Sequence, residues 1–228
     1  MTVESPLTAN SAARIMILTR KRLVLTRKTR RVPDLIETLR AALDQSGAGS
    51  SDFDLNPDVK LPAGRKLRPA GVLVPITVTS FQPRVILTKR SSALKHHPGQ
   101  IAFPGGKQDE GDHDVTEAAL REAWEEIGLP REIPSVIGRL PNHETVTGFQ
   151  VTPVVALLER DFEMCPEPGE VDEVFSVPLD HVLDPNNYVI ESRRWRGVQR
   201  RYFTVPFGPY YIWGATARML HGLALRMK

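Results

Sequence analysis

A chain of 228 residues with 41% hydrophobic and 25% charged side chains can bury one core and carry an extension, which excludes the disordered and fibrous classes. Its single cysteine, Cys165, rules out an internal disulfide and points to a reducing compartment. The net charge of +3 is uneven: residues 5–33 hold eight Arg and Lys and no acid, so this leader is +8 and the rest of the chain −5, and the basic balance says little about nucleic-acid binding by the body.

Residues 1–32 read as a basic leader. Its apolar runs, 15–18 and 23–25, are interrupted by charge, so it lacks a secretory pattern, and no segment is long enough to cross a bilayer. A solvated tail, an organelle transit peptide and a membrane-surface arm all fit such a composition. Pro33 and Asp34 then open a helix to about Leu43, with Leu35, Ile36, Leu39, Ala42 and Leu43 at helical spacing. Residues 46–69, rich in Gly, Ser, Asp and Pro, read as a linker tethered by Phe53 along a domain edge. The expected organisation is leader 1–32, helix and linker 33–69, and a domain over 70–228.

The domain opens with two strands, 71–79 and 84–89, joined as a hairpin. No helical period follows until 114–127, where Asp114 can cap a helix and Glu117 can complete a capping box. Ala118, Ala119, Leu120, Ala123 and Trp124 give that helix a buried side, and Gly128 and Pro130 stop it. Strands are expected at 134–140 and 151–158, a short helix at 178–183, and an antiparallel pair at 188–193 and 200–206. A closing helix runs from Tyr211, with Trp213, Ala217, Leu220, Leu223 and Ala224 as its core stripe.

The chemistry concentrates on helix 114–127. At about 100° per residue, Glu122, Glu125 and Glu126 fall within an arc of roughly 100°, so three carboxylates share one face. Crowded carboxylates repel unless water screens them or a cation neutralises them, and hard oxygen donors suit Mg²⁺ or Mn²⁺. The competing reading is a solvated helix face. Against it stand Gly105 and Gly106, which let the backbone turn sharply and bring a carbonyl to the same cation.

This stretch resembles the Nudix box, in which a glycine and an acid precede Arg-Glu-x-x-Glu-Glu-x-Gly. Arg121, Glu122, Glu125, Glu126 and Gly128 match it, Asp112 stands near the place of a glutamate, and one extra residue lies between Gly106 and Arg121. That longer spacing is similar to one subfamily, the coenzyme A pyrophosphatases. So is the preceding signature of Leu87, Thr88, Arg90, Ser91, Leu94, His97, Gly99, Gln100, Phe103, Pro104, Gly105 and Gly106, with Lys95 where arginine is usual. Thr145, Gly148, Phe149, Val151 and Pro153, the segment from Glu170, and the terminal Ile-Trp-Gly-x-Thr-Ala extend the likeness from Gly71 to about Leu225.

The resemblance implies a Nudix-type α/β/α sandwich with a mixed central sheet, cleaving coenzyme A or acyl-coenzyme A at its diphosphate bond with Mg²⁺ or Mn²⁺. It implies Glu122, Glu125, Glu126 and the Gly105 carbonyl as metal ligands, and Glu125, Glu126 and Glu170 as the catalytic set. Glu170 can equally be a surface carboxylate. Arg90, Lys95, His97 and Gln100 are the implied substrate contacts, although His97 alone reads as readily as a structural residue. Arg121 orients a glutamate by charge-assisted hydrogen bonding. The expected partner is a nucleotide of the coenzyme A type, with no nucleic acid, no membrane span, a cytoplasmic location and compatibility with a homodimer. Hydrolysis of another nucleoside diphosphate, such as ADP-ribose or a reduced dinucleotide, and a non-catalytic Nudix binding domain are the alternatives.

Overall fold

The structure is a computed structural model that describes residues 31–59, 61, 64–195 and 197–228. The basic leader falls outside these residues but for its last two. Among the described residues no helix is long and apolar enough to cross a membrane.

The order of elements is α1 (Val32–Asp44), β1 (Ser50–Ser51), β2 (Arg68–Thr77), β3 (Arg84–Arg90), β4 (Ile101–Ala102), β5 (Gly105–Lys107), α2 (Val115–Ile127), β6 (Pro134–Arg139), β7 (His143–Glu144), β8 (Phe149–Leu158), β9 (Val171–Pro178), α3 (Leu179–Val182), β10 (Val189–Trp195), β11 (Val198–Thr204) and α4 (Gly214–Arg226). The main sheet runs β1-β7-β8-β2-β3-β4, with β5 on β2, β6 on β8 and β9 on β3, while β10 and β11 form a separate ribbon. It is mixed, because β2 lies parallel to β8 over its whole length and antiparallel to β3 and β5.

Period-two alternation divides the apolar side chains between two faces. Leu73, Ile86, Val154, Ala156 and Leu158 meet Ala119, Ala123 and Ile127 of α2 on one side. Val74, Ile76, Val85, Leu87, Val155 and Leu157 meet Leu35 and Leu39 of α1, Leu179 of α3 and Leu220 and Leu223 of α4 on the other. The result is the α/β/α sandwich with a mixed sheet that the sequence led us to expect.

Three features of this frame position the site. First, β2 pairs with β5 only over Ala70–Val72 and with β3 only over Ile76–Thr77, and between these the Leu73 amide donates to the Pro104 carbonyl at 2.8 Å. Pro75, which has no N–H, occupies the remaining position on that side at no hydrogen-bonding cost. The gap admits the chain that turns through Phe103 and Pro104 into Gly105. Second, any Cβ on Gly71 would strike the Val115 backbone carbonyl, so glycine alone lets the first turn of α2 press onto β2.

Third, the expected linker is a strap built into the sheet. Ser50 and Ser51 pair in parallel with His143 and Glu144, and the Ser50 amide donates to the Asn142 carbonyl at 2.9 Å. Buried His143 bridges Ser50 Oγ (2.9 Å) and Asp52 Oδ1 (3.1 Å), and Asp52 Oδ2 accepts from the Val146 amide at 2.8 Å. Asn56 binds the backbone of Arg201 twice, through Nδ2 to the carbonyl (2.9 Å) and Oδ1 to the amide (2.8 Å). Its loop-like composition conceals this, because the bonds are made to residues about 90 and 145 positions away.

Two expected core positions differ. Trp124 is 51% exposed while Glu126 is 5% exposed, so the buried side of α2 is Ala118, Ala119, Ala123, Glu126 and Ile127. The small alanines can approach the sheet closely where an indole cannot, and this rotates the helix away from Trp124. Trp213 precedes α4, is only half-buried, and leaves the stripe to Ala217, Leu220, Leu223 and Ala224.

Candidate active site

Local signals fix α2 firmly. Asp114 accepts from the Thr116 and Glu117 amides at 2.8 and 3.0 Å, and the left-handed Gly128 closes the last turn. The Glu117 carboxylate reaches one residue further than a standard capping box, to the amide of His113 at 2.7 Å. These amides, with Arg139 paired to the same side chain, hold the Asp114 carboxyl below its ordinary value. Asp114→Ala is therefore expected to cost about 1 kcal/mol, or a few degrees in melting temperature. Because the folded carboxyl is depressed, its contribution is present above the ordinary carboxylate range and lost as pH falls through the lower, folded value. The wild type and the variant should thus converge in thermal scans toward acid pH.

The three box carboxylates do not act as one cluster. Glu126 turns inward and accepts from the Gly105 amide at 3.1 Å, and burial pushes its carboxyl up to about 7, with Glu122 and Glu170 adding to the rise. Glu122 lies beside it one helical turn earlier, also raised, first by burial and then by Glu125 and Glu170 against the pull of Arg121. Glu125 points outward to Arg121 Nη1 at 2.8 Å. Among the described residues no three acidic, histidine or cysteine side chains converge in a metal-binding grouping. The structure brings Glu122 and Glu126 together and holds Glu125 apart.

Arg121 is the hub of this arrangement. Its Nε and Nη2 bind Asp112 Oδ1 and Oδ2 at 2.9 and 3.0 Å, and Nη2 also lies 3.2 Å from Glu122 Oε1. The guanidinium thus spans two glutamates while anchored on an almost fully buried aspartate, whose carboxyl it holds below the ordinary range. At Gly106 an added Cβ would meet the Glu122 carboxylate, and at Gly105 it would meet the backbone of Gly71 and Val72. Gly106 is therefore the clearance in which Glu122 sits, and Gly105 lets its turn close against β2, with its amide on Glu126.

Glu170 is exposed on the turn before β9. The Cys165 and Glu167 amides donate to the carbonyls of Ile127 and Glu126 at 3.0 and 2.9 Å, which folds its loop over the end of α2. That contact brings the charge of Glu170 close enough to raise both inward glutamates. The signature loop closes on itself, with the Arg90 amide donating to the Gln100 carbonyl (3.0 Å) and Gly99 to the Arg90 carbonyl (3.1 Å). His97 takes a positive φ of 55° there, and burial and the neighbouring Arg90 lower its pKa.

A cavity of about 410 Å³ opens beside the Gly105 turn, within the size range of small-molecule sites. Arg90, His97 and Gln100 line it with Gly105, whereas Lys95 is exposed on the loop and lies outside the lining. Its other walls are Asp52 and Asn56 of the strap, Thr145–Thr147, Arg193, Arg200, Arg201 and Tyr202 of the ribbon, and Trp213 and Met219. Sequence reasoning missed the strap and ribbon residues. Their only local signal is the run of arginines in the ribbon, which is as consistent with a solvated surface.

Comparison with known proteins identifies a family. The NUDIX domain model matches residues 67–196. The chain is 42% identical over 160 residues to the uncharacterized Nudix hydrolase NudL of Enterobacter sp. (strain 638), covering 70% of this chain and 83% of the relative, and 44% identical over the same length to the NudL of Klebsiella pneumoniae subsp. pneumoniae. Among solved structures, the Nudix hydrolase RenU of M. smegmatis is 24% identical, with a TM-score of 0.42, covering 60% of this chain and 83% of that one. With the box on a capped helix, its glycine turn against Glu126 and the domain match across more than half the chain, this protein belongs to the Nudix hydrolase family.

Proposed function

We propose that the protein hydrolyses the diphosphate bond of coenzyme A or an acyl-coenzyme A, yielding adenosine 3′,5′-bisphosphate and 4′-phosphopantetheine or its acyl form, with Mg²⁺ or Mn²⁺. One observation carries the reading. The same cavity is lined by the signature residues Arg90, His97 and Gln100, by the Gly105 turn that holds Glu126, and by a basic and aromatic far wall. A diphosphate joined to a nucleoside asks for this combination of cations and flat rings.

The donor set fits a hard divalent cation. Glu122 and Glu126 are oxygen ligands withdrawn from water beside Glu170, and their mutual repulsion makes a cation the natural counter-charge. When bound, such an ion neutralises diphosphate charge and makes water more acidic. The chain supplies the rest. Gly105 fixes the Glu126 carboxylate, Arg121 orients Glu122 and Glu125, and Arg90 and Gln100 bind phosphate oxygens. Glu170 is the exposed carboxylate free to accept the proton that water loses as its oxygen bonds to phosphorus and the bridging P–O bond breaks.

The test is product analysis on coenzyme A, an acyl-coenzyme A, ADP-ribose and a reduced dinucleotide, each with Mg²⁺ and with Mn²⁺. Coenzyme A substrates should be cleaved with the highest kcat/KM, and chelation should abolish turnover. Equal efficiency on all four would replace this reading with that of a general nucleoside-diphosphate hydrolase.

A further inference from the structure

The cavity wall contributed by the β10–β11 ribbon has a chemistry that the carboxylate cleft lacks. In the ribbon register Arg193 stands directly opposite Arg200, and Glu191 opposite Tyr202. Directly opposed residues share a face, so Arg193, Arg200 and Tyr202 project together, and all three line the cavity. Two guanidinium groups on one face of a ribbon suit an anion received between them.

A flat ring completes the wall. Trp213 is half-buried with the Arg193 guanidinium 5.7 Å from its ring centroid and the Tyr202 ring 5.1 Å away, edge to face. Two acids stand near this wall: Glu191 accepts from the Tyr211 hydroxyl at 2.6 Å, and Asp52 accepts from the Val146 amide and contacts His143. Arginine is the side chain best matched to phosphate, and an indole is a stacking platform for a nucleobase. Arg90 lines the same cavity from the signature loop, near Glu126, whose charge it stabilises. The cavity therefore has cations of two origins.

We propose that Arg193 and Arg200, with Trp213, form a subsite for the ribose 3′-phosphate and adenine of the substrate, and so set the preference for a 3′-phosphorylated nucleotide over a plain one. This rests on the coenzyme A reading, and it places the phosphate-selecting cations on the ribbon. Trp213 then stands outside the helical stripe because its ring serves the cavity.

The experiment compares kcat/KM for coenzyme A and 3′-dephospho-coenzyme A in the wild type, Arg193→Ala, Arg193→Lys and Arg200→Ala. It also measures calorimetric binding of adenosine 3′,5′-bisphosphate against AMP, neither of which has a diphosphate to cleave. The wild type should favour the 3′-phosphorylated member of each pair by about ten- to a hundredfold, the scale of a charged hydrogen bond. Arg193→Ala and Arg200→Ala should bring both ratios close to one, and Arg193→Lys should restore part of them. A wild-type preference that survives both alanine variants would overturn the ribbon subsite and leave the coenzyme A reading standing. A wild type that treats coenzyme A, its dephospho form and ADP-ribose alike would instead overturn the coenzyme A reading, and the subsite with it. Ratios within one variant are insensitive to the fraction of enzyme that is folded, and the partial recovery in Arg193→Lys separates loss of the cation from a damaged ribbon.

Discussion

Replacing Glu126 by Gln is expected to lower turnover by at least about a hundredfold, the scale of losing one preorganised electrostatic group, while the fold persists. Glutamine keeps the size of the side chain and can still accept from the Gly105 amide, so the change removes charge and little else. Stability should move the other way. Burial raises the Glu126 carboxyl to about 7, above its ordinary value, so the charged form is disfavoured in the fold. The sign follows from linkage: this group costs nothing at acid pH, and its cost grows as pH rises through the folded value. In chelator-treated protein near pH 8 the Gln variant should therefore be the more stable, by about 3 kcal/mol as an order of magnitude. Wild-type turnover under saturating metal would remove Glu126 from the machinery. A variant less stable than wild type at pH 8 would show that the carboxylate is better solvated than its 5% exposure implies.

Arg121→Ala carries the largest expected loss of stability. Arg121 and Asp112 are 17% and 4% exposed at their side chains and bonded twice, so removing the cation leaves a buried carboxylate without its partner. Breaking such a pair costs about 3–5 kcal/mol, or on the order of 10 °C in melting temperature for a chain of this size. The pH dependence is diagnostic. In the wild type the Asp112 carboxyl lies below its ordinary value, chiefly through the Arg121 bonds, so its stabilising contribution is lost only as pH falls through that depressed value. In the variant burial is opposed by the Asp109 amide and Arg131 without the Arg121 bonds, so the carboxyl should move up from its depressed value and its stabilising contribution should be lost at a higher pH than in the wild type. Adding Asp112→Asn to the variant should recover a substantial part of the melting temperature. A single variant melting within about 2 °C of wild type would show that this pair is solvated and worth no more than a surface ion pair.

The two variants divide the site into parts with separate readouts. Glu126→Gln costs turnover and spares the fold, whereas Arg121→Ala costs the fold and, through Glu122 and Glu125, the alignment of the carboxylates. The coexistence of two raised glutamates with one strongly paired arginine is a local conflict that the rest of the fold supports. Gly71 and Ala119 hold α2 against β2 so tightly that Glu126 has nowhere to go but toward the Gly105 turn.

What the sequence determined by itself is what short-range physics controls. The cap on Asp114, the stop at Gly128, the hairpin around residues 80–83 and the ribbon pairing all follow from hydrogen bonds and dihedral limits within a few residues, and the structure contains each of them. The tertiary structure decided which side of α2 is buried. The helical period places Trp124 on the buried side and Glu126 on the carboxylate face, and only the close approach of a small-residue face to β2 sends the indole out and the carboxylate in. It likewise made a strap of the residues read as linker, because Asp52 and Asn56 find their partners at His143, Val146 and Arg201. The meeting of Arg90 with Arg193, Arg200 and Trp213 around one cavity has the same origin, since residues more than 100 positions apart become neighbours only when strands from both ends of the chain enter one fold.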